Sequence, residues 1–171
     1  AVSGMTPRFV HLHLHSEFSL TDSTVRIPEL VARCAALGLP AVAITDTSNL
    51  FALVKFYKAA EAAGLKPVAG ADLWLSADGA PPSRLTLLCQ DREGYLALSR
   101  LISRAFLEGH AGDYVAIEPD WLYRDCRGLV AIAGRDSLLG QALAAGLVDE
   151  YEIKLVQLRL GVDSGRARLE L

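Results

Sequence analysis

The chain has 171 residues, 51% of them hydrophobic and 22% charged, with a net charge of −3. That length and apolar content can supply a core for a single domain. The slightly acidic balance argues against an autonomous nucleic-acid binder, which needs a basic face for phosphate contacts. Cys34, Cys89 and Cys126 are odd in number, widely spaced and without CxxC pairing. They read as reduced thiols of a cytoplasmic protein. No signal peptide is visible, nor any apolar run of the ~18 residues a membrane span needs. Ala1-Val2-Ser3-Gly4 ahead of Met5 reads as a cloning remnant, which puts the natural start at Met5.

The first element is Phe9-Val10-His11-Leu12-His13-Leu14-His15. Its alternation is the period of a strand, which predicts His11, His13 and His15 on one face. Neutral imidazole is the commonest protein ligand for zinc and related ions, so an HxH pair at a strand end is a candidate half of a metal site. A polar turn follows, then a helix opened by Pro28 and Glu29. Its stripe is Leu30, Val31, Cys34, Ala35 and Leu37, and Gly38 ends it. Ala41-Val42-Ala43-Ile44-Thr45 has the continuous apolar character of a strand buried on both faces, with Asp46 at its end. Asn49 or Thr47 caps a second helix through Ala63, stopped by Gly64, and Lys66 begins a third strand running to Leu75. This βαβαβ order implies parallel strands and right-handed crossovers.

A turn-rich loop with Asp78-Gly79 and Pro81-Pro82 leads to a strand over 84–89. Asp91 then caps a long helix carrying Tyr95, Leu98, Leu101, Ile102 and Phe106. A polar loop surrounds His110, followed by an extended piece at Val115-Ala116-Ile117 and a helical turn at Asp120-Trp121-Leu122. A buried strand is expected over 128–134, a helix over 137–145 and a strand over 154–160, with no internal repeat. Trp74, Trp121 and Phe56 read as packing residues. His110, with Glu108 and Asp113, reads as part of a solvated loop.

Alternating strands and helices imply an α/β barrel or sheet, in which chemistry gathers at the carboxyl ends of the strands. His13 and His15, Asp46 and Asp72 each close a predicted strand. Ligand-type side chains at three strand ends point to a present or former metal site.

With these residues in place, the sequence resembles the PHP (polymerase and histidinol phosphatase) family. The likeness is to the domain at the amino terminus of bacterial replicative polymerases, the DNA polymerase III alpha subunits of proteobacterial type. The resemblance is carried by the stretch from Phe9 to Leu20, by Ala43-Ile44-Thr45-Asp46 with Asn49-Leu50, and by Leu53-Val54-Lys55-Phe56-Tyr57. Lys66-Pro67-Val68-Ala69-Gly70-Ala71-Asp72, Leu85-Thr86-Leu87-Leu88, Gly94-Tyr95 and Gly128-Leu129-Val130-Ala131 extend it to about Gly140. It fades after Asp149. The fold it implies is a distorted (β/α) barrel, incomplete over a chain of this length, forming one domain over residues 5–171.

Active members hold up to three metal ions and hydrolyse phosphoesters, some as proofreading 3′–5′ exonucleases. Residue by residue, His13 and His15 match the family's HxH ligands and Asp22 a following acidic ligand. Asp46 precedes a position that is histidine in active members and Thr47 here. Asp72 stands for a bridging glutamate, and Arg84 and Arg135 for further ligands. Arginine cannot ligate a cation, and it repels one. The resemblance therefore implies a degenerate site without catalytic residues or a stoichiometric cofactor. Any ion, zinc or manganese, would rest on His13, His15 and Asp22. The parent would be a DNA-directed DNA polymerase. This segment would be inactive, serving as a structural module that contacts the rest of the polymerase and docks a proofreading exonuclease subunit. No specific DNA or membrane binding is expected. The competing reading is a metal-dependent phosphoesterase.

Overall fold

The computed structural model describes residues 9–76, 82–134 and 137. Two compact units divide the chain, Ala1–Asp72 and Leu73–Leu171.

In the first unit, α1 (Ile27–Ala36), β1 (Ala41–Ile44), α2 (Leu53–Ala62) and the start of β2 (Lys66–Leu75) follow in the expected order. Strands β1 and β2 are parallel, in register from Ala41 opposite Lys66 to Ile44 opposite Ala69. The histidine segment lies on the other side of β1, joined by a parallel bridge between His11 and Val42. The three segments are thus adjacent and parallel, as the βαβαβ order predicts. The core is Ile27, Val31, Cys34, Val42, Ile44, Phe56, Ala60 and Leu65. Burial of each large aliphatic or aromatic side chain there contributes roughly 1.5–3 kcal/mol.

The histidine segment is not a regular strand. The Ala43 amide donates to the His11 carbonyl at 2.8 Å, but the Thr45 amide donates to Leu14 rather than His13, also at 2.8 Å. Three residues therefore span what two span on β1. This is the geometry of a bulge, which breaks the ladder and re-aims side chains.

The cap of α2 also differs from expectation. Its N-cap is Ala52, without a side-chain bond. The Asn49 carboxamide instead accepts from the Phe51 amide (3.1 Å) and donates to the carbonyls of Phe18 (3.1 Å) and Thr47 (3.0 Å). A short amide side chain competes for nearby backbone in this way, closing the loop before the helix. Gly38 and Gly64, at φ 65° and 68°, end the two helices as read from the sequence.

The second unit takes the end of β2, then β3 (Ser83–Cys89), α3 (Arg92–Glu108), β4 (His110–Ala111), β5 (Tyr114–Ile117), α4 (Pro119–Arg124) and β6 (Leu129–Ile132). The strand order is β4-β5-β2-β3-β6. Trp74 and Leu75 pair parallel with Ala116 and Ile117, while β3 and β6 are antiparallel. Asp91 caps α3 as expected, accepting from the Gly94 amide at 2.9 Å.

Three expectations are corrected here. Tyr95 and Phe106 are exposed, and the buried face of α3 is Gly94, Ala97, Leu98, Leu101 and Ala105. At position 94 only glycine fits, because its backbone abuts Gly128 and a Cβ there would overlap the Gly128 carbonyl. β6 is half-exposed, with β3 as its paired neighbour, so it is not a strand buried on both faces. Glu108, His110 and Asp113 are exposed as expected, but the loop is a hairpin in which Ala111 pairs with Tyr114 across Gly112-Asp113, and Gly112 takes a positive φ of 62°. Trp74 and Trp121 do pack: the first lies 4.4 Å from the Tyr114 ring and the second is buried. The elements expected over 137–145 and 154–160 lie outside the described residues. Among the described residues no helix is long and apolar enough to cross a membrane.

Candidate metal centre

The site grows out of the end of β1 and the bulged histidine segment, all within the first unit. Thr45, fully buried, presents its Oγ1 to Leu14, accepting from the amide at 2.8 Å and donating to the carbonyl at 3.1 Å. One residue on, the Asp46 carboxylate is also buried. It accepts from the Ser16 amide (2.6 Å), the Ser16 hydroxyl (2.8 Å) and the Ser19 hydroxyl (2.8 Å). These donors offset the desolvation of a buried carboxylate. They also pin the short 3₁₀ turn Glu17–Ser19, which Ser16 caps by accepting from the Phe18 amide.

With the segment held at both points, His13 and His15 converge on Asp72. Their Nε2 atoms lie 3.4 and 3.3 Å from the same Asp72 oxygen, and the rings are 5.0 Å apart. The ligand atoms of His13, His15 and Asp72 all fall within 4.8 Å of one another. Asp72 is 2% exposed. Its carbonyl accepts from the Ser48 amide at 2.9 Å, and its amide donates to Asp46 at 3.2 Å. Ser48 makes this turn at φ 52°, an uncommon conformation for a non-glycine residue.

On the far side of the His15 ring, Nδ1 lies 2.9 Å from Asp22 Oδ2, which also accepts from the Thr47 hydroxyl at 3.4 Å. Nε2 of His15 is buried without an aligned hydrogen bond, although Asp72 is within 3.3 Å. The nearness of the Asp72 carboxylate raises the His15 pKa above the ordinary value; burial opposes this and Asp22 adds to it. A neutral ring protonated at Nδ1 would turn its Nε2 lone pair toward a carboxylate, which is repulsive. A proton or a cation at that point removes the repulsion. Two imidazoles and a carboxylate are a donor set that suits zinc or manganese, and the orphaned Nε2 is the atom such an ion would take.

The positions singled out in the sequence separate into groups. His13, His15 and Asp72 come together. Asp22 and Thr47 stand behind His15, and Asp46 faces the serines. The described contact of the Arg84 guanidinium is with Trp74 in the second unit, 4.5 Å from the ring centroid. Arg135 lies outside the described residues. Sequence reasoning missed Ser16, Ser19 and Thr45, hydroxyl residues beside the HxH motif and just before Asp46.

The PHP domain family matches residues 11–171. The chain belongs to that family. Among its curated relatives are DNA polymerase III alpha subunits. That of Xylella fastidiosa strain Temecula1 is 52% identical over 165 residues, covering 88% of this chain and 14% of the relative. That of Pseudomonas aeruginosa is 48% identical, covering 83% of this chain and 12% of the relative. That of Escherichia coli K12 is 43% identical, covering 84% and 13%. The chain thus spans about one-seventh of the length of these relatives. Among solved structures, a putative metal-dependent phosphoesterase from Bifidobacterium adolescentis aligns with TM-score 0.40 and 14% identity, covering 87% of this chain and 54% of that one.

Proposed function

We propose that this chain is the amino-terminal PHP domain of a cytoplasmic DNA polymerase III alpha subunit. It supports DNA replication as a structural module that braces the polymerase and docks a proofreading exonuclease subunit. The observation that carries this reading is identity of 43–52% to such subunits over at least 84% of the chain for the first and third relatives above. The site is consistent with lost hydrolysis. Phosphoester cleavage of the multinuclear kind clamps attacking and leaving oxygens between ions ~4 Å apart. His13, His15 and Asp72 supply ligands for one ion. Thr47 offers a neutral hydroxyl, engaged with Asp22. Arg84 and Arg135 bring positive charge where the family's active members bring ligands.

The test uses the full polymerase that contains this segment. Replacing His13 and Asp72 together with alanine should leave the primer-extension rate unchanged. The 171-residue chain loaded with zinc or manganese should not cleave single-stranded DNA. Cleavage of single-stranded DNA by the metal-loaded chain would overturn the reading of lost hydrolysis.

A second reading, a metal-dependent phosphoesterase, is favoured by the orphaned Nε2 of His15 facing Asp72. An ion held by His13, His15 and Asp72 would supply Lewis-acid polarisation of a phosphoryl oxygen. Metal-dependent cleavage abolished by His13→Ala would establish that reading instead.

A further inference from the structure

We infer that Asp22 is a positioning residue, holding His15 as the Nδ1–H tautomer so that Nε2 stays available to a zinc or manganese ion shared with His13 and Asp72. This rests on the reading of that trio as a metal site, and it places Asp22 behind the ligands rather than among them.

Three observations carry it. His15 Nδ1 meets Asp22 Oδ2 at 2.9 Å, a hydrogen-bonding distance, while Nε2 has no aligned partner. The same Asp22 oxygen accepts from the Thr47 hydroxyl, so it is engaged by two donors on the side of the ring remote from Asp72. Asp22 also falls outside the trio whose ligand atoms lie within 4.8 Å of one another. In a neutral imidazole one nitrogen donates and the other accepts, so a fixed acceptor at Nδ1 decides which nitrogen keeps a lone pair. A carboxylate in that place orients a metal-binding histidine and raises its basicity. Thr47 then has a part of its own, holding the carboxylate that holds the histidine.

The experiment separates positioning from ligation. The protonated nitrogen of His15 is read by long-range ¹H–¹⁵N NMR on the metal-free 171-residue chain, in alkaline buffer where the ring is neutral. Zinc affinity is read by competition with a chromophoric chelator. Wild type should be protonated at Nδ1. Asp22→Asn, whose amide oxygen still accepts, should keep that tautomer and bind zinc nearly as tightly. Asp22→Ala should move the proton to Nε2 and weaken zinc binding ~10–100-fold. Wild type protonated at Nε2 would overturn the inference. So would an Asp22→Asn variant with the wild-type tautomer but zinc binding as weak as in Asp22→Ala, because the tautomer would then not be what sets the affinity. Wild type showing the expected tautomer but taking up no zinc would overturn the metal reading on which the inference stands, and would do so without touching the hydrogen bond itself.

Discussion

The Thr45 hydroxyl occupies the place of a strand partner for Leu14, bonding both its amide and its carbonyl, at 2.8 and 3.1 Å. Leu14 lies between the two histidines, so this contact sets where their rings go. Thr45→Val keeps the shape but leaves the Leu14 amide without its acceptor, at a cost of about 1–3 kcal/mol. A urea melt should show the lowered midpoint, zinc binding should weaken with it, and Thr45→Ser should retain both. Equal melting of the valine variant and wild type would mean the hydroxyl is idle.

Arg84 stacks on Trp74. A guanidinium over an indole face contributes about 0.5–2 kcal/mol, so Arg84→Ala should destabilise by that order. The partner is identified by a double-mutant cycle. In a Trp74→Ala background the effect of Arg84→Ala should largely vanish. If the full effect persists, the cation serves groups other than Trp74.

Arg100 grips Asp125 with two hydrogen bonds of 2.6 Å, and these hold the Asp125 carboxyl below its ordinary value. A depressed folded-state pKa means the stabilisation is present above the unfolded value and is lost as pH falls through the folded one. Asp125→Asn should therefore melt below wild type by a constant margin above about pH 5, and the margin should close in stronger acid. A margin independent of pH would show that the contact is not ionic. The pair is largely solvent-exposed, which keeps the margin small.

Burial pushes the Cys89 thiol up to about 11, with Asp91 adding to the effect. At pH 8 only about one molecule in a thousand then carries the reactive thiolate there, against roughly a quarter for a free cysteine. Iodoacetamide should label Cys89 far more slowly than a cysteine-containing peptide, and urea should abolish the difference. Equal rates in folded protein would contradict the half-buried placement of the residue.

Local signals made much of the fold legible. The apolar run from Ala41, the glycines at 38 and 64 and the Asp91 cap act over a few residues, and each appears where it was read. At Gly112-Asp113 the same glycine-rich polar composition suits a solvated loop and a hairpin turn, and the structure is both exposed and paired. What escaped depends on pairing at a distance. Alternation alone predicts three histidines on one face. In the structure Thr45 inserts into the register and leaves His11 edge-on to Phe9, outside the site. Helical periodicity favours Tyr95 for the core, yet the buried face runs through Gly94, where the close approach of Gly128 leaves no room for a side chain, and Tyr95 is exposed. At the site, the HxH motif and Asp72 were legible as ligand-type residues, but the third ligand expected beside the histidines was Asp22, which lies behind the His15 ring. The turn of Asp46 toward Ser16 and Ser19 was not, because hydroxyls carry no periodic signature.

Asp46 gives the fold a particular evolutionary latitude. In proteins whose loops are shaped by a bound ion, losing a ligand loosens the loop, and the remaining ligands decay together with the structure. Here three donors from Ser16 and Ser19 close the turn on a side chain of the protein itself. Residues facing the centre can therefore change identity one at a time without undoing the turn that presents them. A lineage carrying such a latch can shed or regain metal chemistry while the surface it offers to its neighbours stays the same.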